Sequence, residues 1–126
     1  CFPPVHVPDT QRSTAGIHCL NVFAALGVAD DIAARLKTYP NGATAMATLA
    51  SNGDLAAIGI TQVTEILYTP GVTLVGRLPR EFELATVYSA AVAAVAVSPE
   101  AATAFVQQLT SPAAAALRRD GGFESV

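Results

Sequence analysis

The sequence predicts an α/β fold with a largely parallel sheet flanked by helices. Short β-branched or apolar runs alternate with segments of helical period over most of the chain. Capping residues, glycines and prolines punctuate those segments where helices should start and stop. The run Leu55 to Ile60 (LAAIGI) is continuously apolar between Asp54 and Thr61, as a strand buried on both faces of a parallel sheet would be.

Each element follows in order. Val5 to Val7 is a brief β-branched run ended by Pro8, and Asp9 to Thr14 is a polar loop. From Ala15 a helix places Ile17, Leu20, Phe23 and Leu26 on related faces and stops at Gly27, which can take positive φ. Asp30 or Asp31 caps a shorter helix through Ile32 and Leu36, with Arg35 and Lys37 near its C-terminal end, and Pro40 blocks its continuation. Asn41 to Ala43 opens a helix with Ala45, Met46, Leu49 and Ala50 as its apolar stripe, ended by Ser51-Asn52-Gly53, and Met46 is expected in the core. After the LAAIGI strand, Gln62 to Leu67 makes one or two helical turns, Thr69-Pro70-Gly71 a turn and Val72 to Val75 a strand, with Leu78 to Glu83 as connection. Thr86 to Val97 begins as a β-rich stretch. Ser98-Pro99-Glu100 then starts a helix, Ser111-Pro112 starts another anchored by Leu117, and Arg118 and Arg119 precede Gly121-Gly122.

Composition bounds the function. The chain has 126 residues, 52% hydrophobic and 13% charged, enough for a compact core. Seven Lys and Arg against ten Asp and Glu give a net charge of −3 and no basic field, so nucleic acid is excluded as a partner. The longest apolar stretch, Ala90 to Val97, falls far short of the roughly 20 residues of a membrane-spanning helix, and the chain is expected to be soluble. Cys1-Phe2-Pro3-Pro4 is no signal peptide, so any such peptide is removed or lies upstream. Cys1 and Cys19 make no disulfide framework and read as two free thiols, Cys1 alternatively as a lipidated first residue. GxxxxGK[ST], GxGxxG and metal-ligand spacings are lacking, so no cofactor and no metal are expected.

The feature that could carry chemistry is Arg12-Ser13-Thr14-Ala15-Gly16, a polar loop entering a helix, where free amides and the dipole favour an anion. Capping by Ser13 or Thr14 explains it equally well. Thr61 and Gln62 follow a buried strand, where ligands of open α/β sheets sit. Tyr88 offers a hydroxyl as a ligand donor or as the tip of a core residue, and His18 is a site residue or a structural one. No nucleophile motif surrounds His6 or His18.

Taken in order, TAGIHCLNVFAALGV, ATLASNGDLAAIGITQVTEIL, TPGVTLVGRLP, TVYSAAV and SPEAATAFVQQLTSPAAAALRRDGGF resemble the C-terminal half of periplasmic solute-binding proteins of the molybdate-binding type. The resemblance covers nearly everything after Val5. It implies the type 2 periplasmic-binding fold, with residues 1–87 as the ligand-binding second lobe and 88–126 as a segment returning to a first lobe whose N-terminal part is absent. The family's anion-binding amides match Ala15 and Thr61, and its hinge tyrosine matches Tyr88. Arg12, His18 and Gln62 depart from the molybdate pattern and favour a carboxylate over a tetrahedral oxyanion.

The function so implied is binding of a small anion, a molybdate- or tungstate-like oxyanion or a small organic carboxylate, in the periplasm for an ABC transporter permease. The expected ligand-binding set is Arg12, Ser13, Thr14, Ala15, Thr61, Gln62 and Tyr88, with no catalytic residue. The alternative is an isomerase of a small polycarboxylate such as aconitate on the same scaffold, with His18, Glu65 and Tyr88 as acid-base candidates. Self-association through the uncovered face of the half-length chain is a further expectation.

Overall fold

The computed structural model describes residues 2–124, which leaves Cys1, and with it the lipidation reading, outside the described residues. The chain divides after Leu84 into two compact units.

The first unit is built on strand β1 (Val5–Pro8). Helices α1 (Thr14–Ala25) and α2 (Ala29–Ala33) lead to β2 (Leu36–Tyr39), and α3 (Gly42–Ser51) leads to β3 (Ile58–Gly59), followed by α4 (Val63–Tyr68). The three strands form one parallel sheet in the order β2-β1-β3. Val5 stands opposite Leu36 on one side and Ile58 on the other. β1 is therefore the buried central strand, and Pro8, which has no N–H to give the ladder, ends it.

Side chains alternate across the sheet and divide the core in two. Val5 and Val7 pack with Cys19 and Phe23 of α1 and Ile32 of α2, with Val28, Leu36 and Ile60 around them. His6 takes the opposite face, the one that also receives Tyr39 and the end of α3. Burying each such Val, Ile or Phe contributes roughly 1.5–3 kcal/mol, which makes β1 the most heavily stabilised segment of the unit.

The helix boundaries are set locally. The Ser13 hydroxyl accepts from the Gly16 amide at the start of α1, and Gly27, at φ 70°, turns the chain away beyond its end. The Asn41 side chain accepts from the Thr44 amide at the start of α3, and Met46 is buried as expected. Asp30 and Asp31 lie in the first turn of α2.

Four expectations need correction. Leu36 to Tyr39 is a strand and not the end of a helix: α2 stops at Ala33, and Pro40 confines Tyr39 to extended backbone. Leu55 to Ile60 is not a strand buried on both faces. Asp54 folds Leu55 and Ala56 into a turn by accepting from the Ala56 amide, Leu55 is fully exposed, and only Ile58 and Gly59 pair, at the sheet edge. Residues 72–75 and 86–97 contain no strand among the described residues, and Val75, Val95 and Val97 stay almost wholly exposed. Extended segments become strands only where a neighbour takes their amides and carbonyls.

In the second unit α5 (Pro99–Thr110) starts with proline in its first turn, as the sequence predicts, and α6 (Ala115–Asp120) follows a 3₁₀ turn at Pro112–Ala114. The Arg118 guanidinium donates to the Leu109 and Ser111 carbonyls, closing the negative end of α5. Tyr88 meets the Phe123 ring edge-on, with centroids 5.7 Å apart.

Candidate functional site

Because all three strands run the same way, the loops after β1, β2 and β3 meet at one end of the sheet, where open α/β sheets hold ligands. Within the loop after β1, one Asp9 carboxylate oxygen accepts from the Gln11 and Arg12 amides, at 2.8 and 3.0 Å. The Asp9 carbonyl accepts from the Ser13 amide. This turn delivers the chain into α1 with the third helical residue, Gly16, against the backbone. A Cβ there would stand 2.3 Å from the Asp9 carbonyl oxygen and 2.6 Å from that of Pro8.

The resulting helix start has a defined inventory of donors. Gly16 and Ile17 give their amides to Ser13, while the first two helical amides, those of Thr14 and Ala15, take part in none of these bonds. Ser13 accepts through its oxygen and keeps its hydroxyl proton to donate. Arg12 is exposed and lines a depression of about 350 Å³ with Asp9, Thr38, Tyr39 and Pro40, where the loops after β1 and β2 adjoin.

The loop after β3 lies across the first turn of α3. Thr61 donates its hydroxyl to a Glu65 carboxylate oxygen at 2.5 Å. A Cβ on Gly42 would come within 2.0 Å of that oxygen and 2.1 Å of the Thr61 oxygen, so the carboxylate sits beside the positive end of α3. Gln62 occupies the N-cap position of α4 and accepts two amides, those of Glu65 and Ile66, through its carbonyl.

Arg12, Ser13, Thr14, Ala15, Thr61 and Gln62 are thus gathered at the carboxyl end of one sheet. Tyr88 lies in the second unit, largely exposed beside Phe123. Nε2 of His18 is bonded to the Phe82 carbonyl at 2.6 Å, which ties α1 to the 3₁₀ turn at Arg80–Phe82 and gives this histidine a structural task.

Two residues that sequence reasoning passed over belong to this region. Tyr39 walls the depression, and His6 holds it from beneath: the rings stack with centroids 5.4 Å apart at 10°, and the Tyr39 hydroxyl lies 2.9 Å from Nδ1. His6 is only 3% exposed, and its Nε2 faces the Asn52 amide nitrogen at 3.4 Å. Burial, reinforced by the Lys37 ammonium and opposed by Asp54, holds its pKa below the ordinary histidine value. The one available signal was proline after Tyr39, which marks residue 39 as extended. Burial pushes the Cys19 thiol up to about 12, so this cysteine is inert packing.

The donors collected at the start of α1 are the Thr14 and Ala15 amides, the Ser13 hydroxyl and the Arg12 guanidinium. Among the described residues no three of His, Cys, Asp and Glu group as metal ligands would, and no helix is long and apolar enough to cross a membrane.

The family described as bacterial extracellular solute-binding protein matches residues 4–124. Among curated proteins, an aconitate isomerase from a Pseudomonas species is 37% identical over 71 residues, 56% of this chain. The match covers 27% of that relative's length. No solved structure matches the chain.

Proposed function

Since this chain belongs to the bacterial extracellular solute-binding proteins, we propose that it binds a small anion and passes it on, chemically unchanged, to an ABC transporter permease from the periplasm. One observation carries this reading: the loop after β1 brings Arg12 and the unengaged Thr14 and Ala15 amides together at the start of a twelve-residue helix. Such a site needs only differential affinity and no general acid or base. The Arg12 guanidinium offers a planar fork that matches a carboxylate, which favours a small organic acid over a molybdate- or tungstate-like ion. Residues 1–87 serve as the ligand lobe in this reading, and 88–126 as the returning segment, with Tyr88 at the hinge.

The likeness to an aconitate isomerase supports a second reading, in which a small polycarboxylate is bound and isomerised. Two of its acid-base candidates already have tasks, since His18 bonds the Phe82 carbonyl and Glu65 takes the Thr61 hydroxyl. The receptor reading therefore comes first.

Calorimetric titration with molybdate, tungstate, sulfate, citrate and both aconitate isomers, each ligand recovered and checked for chemical change, separates the two. Binding with full recovery is expected, weakened when Arg12 is replaced by Ala. Conversion of one aconitate isomer into the other, lost in His18→Ala, would establish the isomerase instead. Binding of none would refute both.

A further inference from the structure

We infer that His6 is the positioning residue for Tyr39, and that the wall Tyr39 gives to the depression is held only while the His6 imidazole is neutral. The inference rests on the anion-binding reading for its effect on affinity alone.

The geometry assigns this role. Pro8 stands opposite Tyr39 in the β1–β2 ladder and His6 opposite Lys37, so His6 and Tyr39 are diagonal neighbours on one face of the sheet. Tyr39 is clamped twice by the same ring, through the stack and through its hydroxyl. A neutral imidazole has one N–H and one lone pair, and this network uses both. With the Asn52 amide nitrogen facing Nε2, Nε2 accepts and Nδ1–H donates to the Tyr39 oxygen. With the amide turned over the two roles exchange, and the ring is neutral still.

A second proton breaks the arrangement. It puts a positive charge in a buried position across the ladder from Lys37, and it leaves an N–H directed at a donor for as long as the Asn52 amide nitrogen faces Nε2. The titratable groups facing His6 are Lys37 and Tyr39 from β2 and Asp54 from the turn after α3. The elements α3 and β3 carry no titratable side chain. Asp54 alone offsets the new charge, so burial and Lys37 drive the charged ring towards solvent, and that movement releases Tyr39 from the wall.

The sign of the effect separates this from simple electrostatics. A proton on His6 adds positive charge near an anion site, which by attraction alone strengthens anion binding. Loss of the Tyr39 wall weakens it instead, by about tenfold if one hydrogen bond of ordinary strength to the anion's surroundings is lost.

The test uses the whole chain with ¹³C-labelled tyrosines, the Tyr39 signal being identified by Tyr39→Phe, and sulfate as a probe that does not titrate over the range. Between about pH 8 and pH 4.5, where an imidazole titrates, the Tyr39 ring signal should move in one step. Sulfate affinity should fall with it by about tenfold, and His6→Gln should abolish both responses. His6→Asn, whose amide can reach where Nδ1 stood, should keep Tyr39 near its wild-type signal at every pH, which a merely structural role would not achieve. A Tyr39 step without sulfate binding at any pH upholds the positioning and refutes the anion reading. A Tyr39 signal indifferent to pH and to His6→Gln, or a sulfate affinity that rises on acidification, overturns the inference.

Discussion

Replacing Gly16 with Ala sets two effects of opposite sign against each other. Helix propensity favours the change, because alanine in a helix is about 1 kcal/mol better than glycine. Packing opposes it. The new Cβ would lie 2.3 Å from the Asp9 carbonyl oxygen, 2.6 Å from that of Pro8 and 2.7 Å from the Asp9 carbonyl carbon. All three are backbone atoms, which cannot rotate aside as a side chain would, so either α1 or the loop after β1 must move by about an ångström, since interiors are close-packed. Overpacking of this kind costs about 1–3 kcal/mol, and contact with backbone atoms alone puts this case at the upper end. The net loss of about 2 kcal/mol lowers the melting temperature by about 10 °C in a unit of this size. Far-UV circular dichroism of the two chains reads it directly. Gly27→Ala provides the control, because a Cβ there meets nothing within 4 Å and only the φ of 70° opposes it. That change should cost about 1 kcal/mol. If Gly16→Ala melts at or above the wild-type temperature, the close approach of α1 to β1 is wrong, and so is the placing of the Thr14 and Ala15 amides. The same variant should bind anions more weakly, since its fault lies within the loop that presents them.

Further expectations follow from the core and from its titrating groups. Met46→Ala empties a buried site beneath Gly59 and should cost about 2–5 kcal/mol in chemical denaturation. His6 binds its proton less readily folded than unfolded, so the unfolded chain takes up more protons on acidification. Stability should therefore be complete above the ordinary histidine value and decline as pH falls from about 6.5 through the lower folded value, a decline that His6→Gln flattens. The Cys19 thiol is displaced upward, so its contribution is present below pH 9.0 and is lost as pH rises towards about 12. In a Cys1→Ser background, native protein should resist a thiol reagent and urea-unfolded protein should take up one equivalent. Concentration-dependent sedimentation is the check on self-association, and a monomer at all concentrations would remove the idea of an uncovered face.

What the sequence made legible was mainly what a few consecutive residues decide. Gly27, Asn41, Ser98-Pro99 and Ser111-Pro112 mark helix ends by chemistry within one turn, and each does so in the structure. Strands were legible only where side-chain pattern and pairing coincided. Leu36 to Tyr39 lacks an apolar run and reads as the end of a helix, yet β1 pairs with it along four residues. Leu55 to Ile60 had the run but gains a partner on one side alone. The helix start after the polar loop ahead of α1 could be read because Ser13 caps it through the Gly16 amide within one turn. His6 and Tyr39 could not, since their pairing joins positions far apart in the chain and no local motif announces it.

The strand order also dictates a timetable for synthesis. The middle of the sheet is made first: Val5 must wait for Leu36 and then for Ile58 before either flank is closed. At roughly 5–20 residues per second a nascent chain spends several seconds with its central ribbon bare on both edges. Such unpaired ribbons invite pairing with a neighbouring chain. In β1 the interval is guarded by brevity and by Pro8, which denies a stray ribbon one of the donors it would need to add itself on.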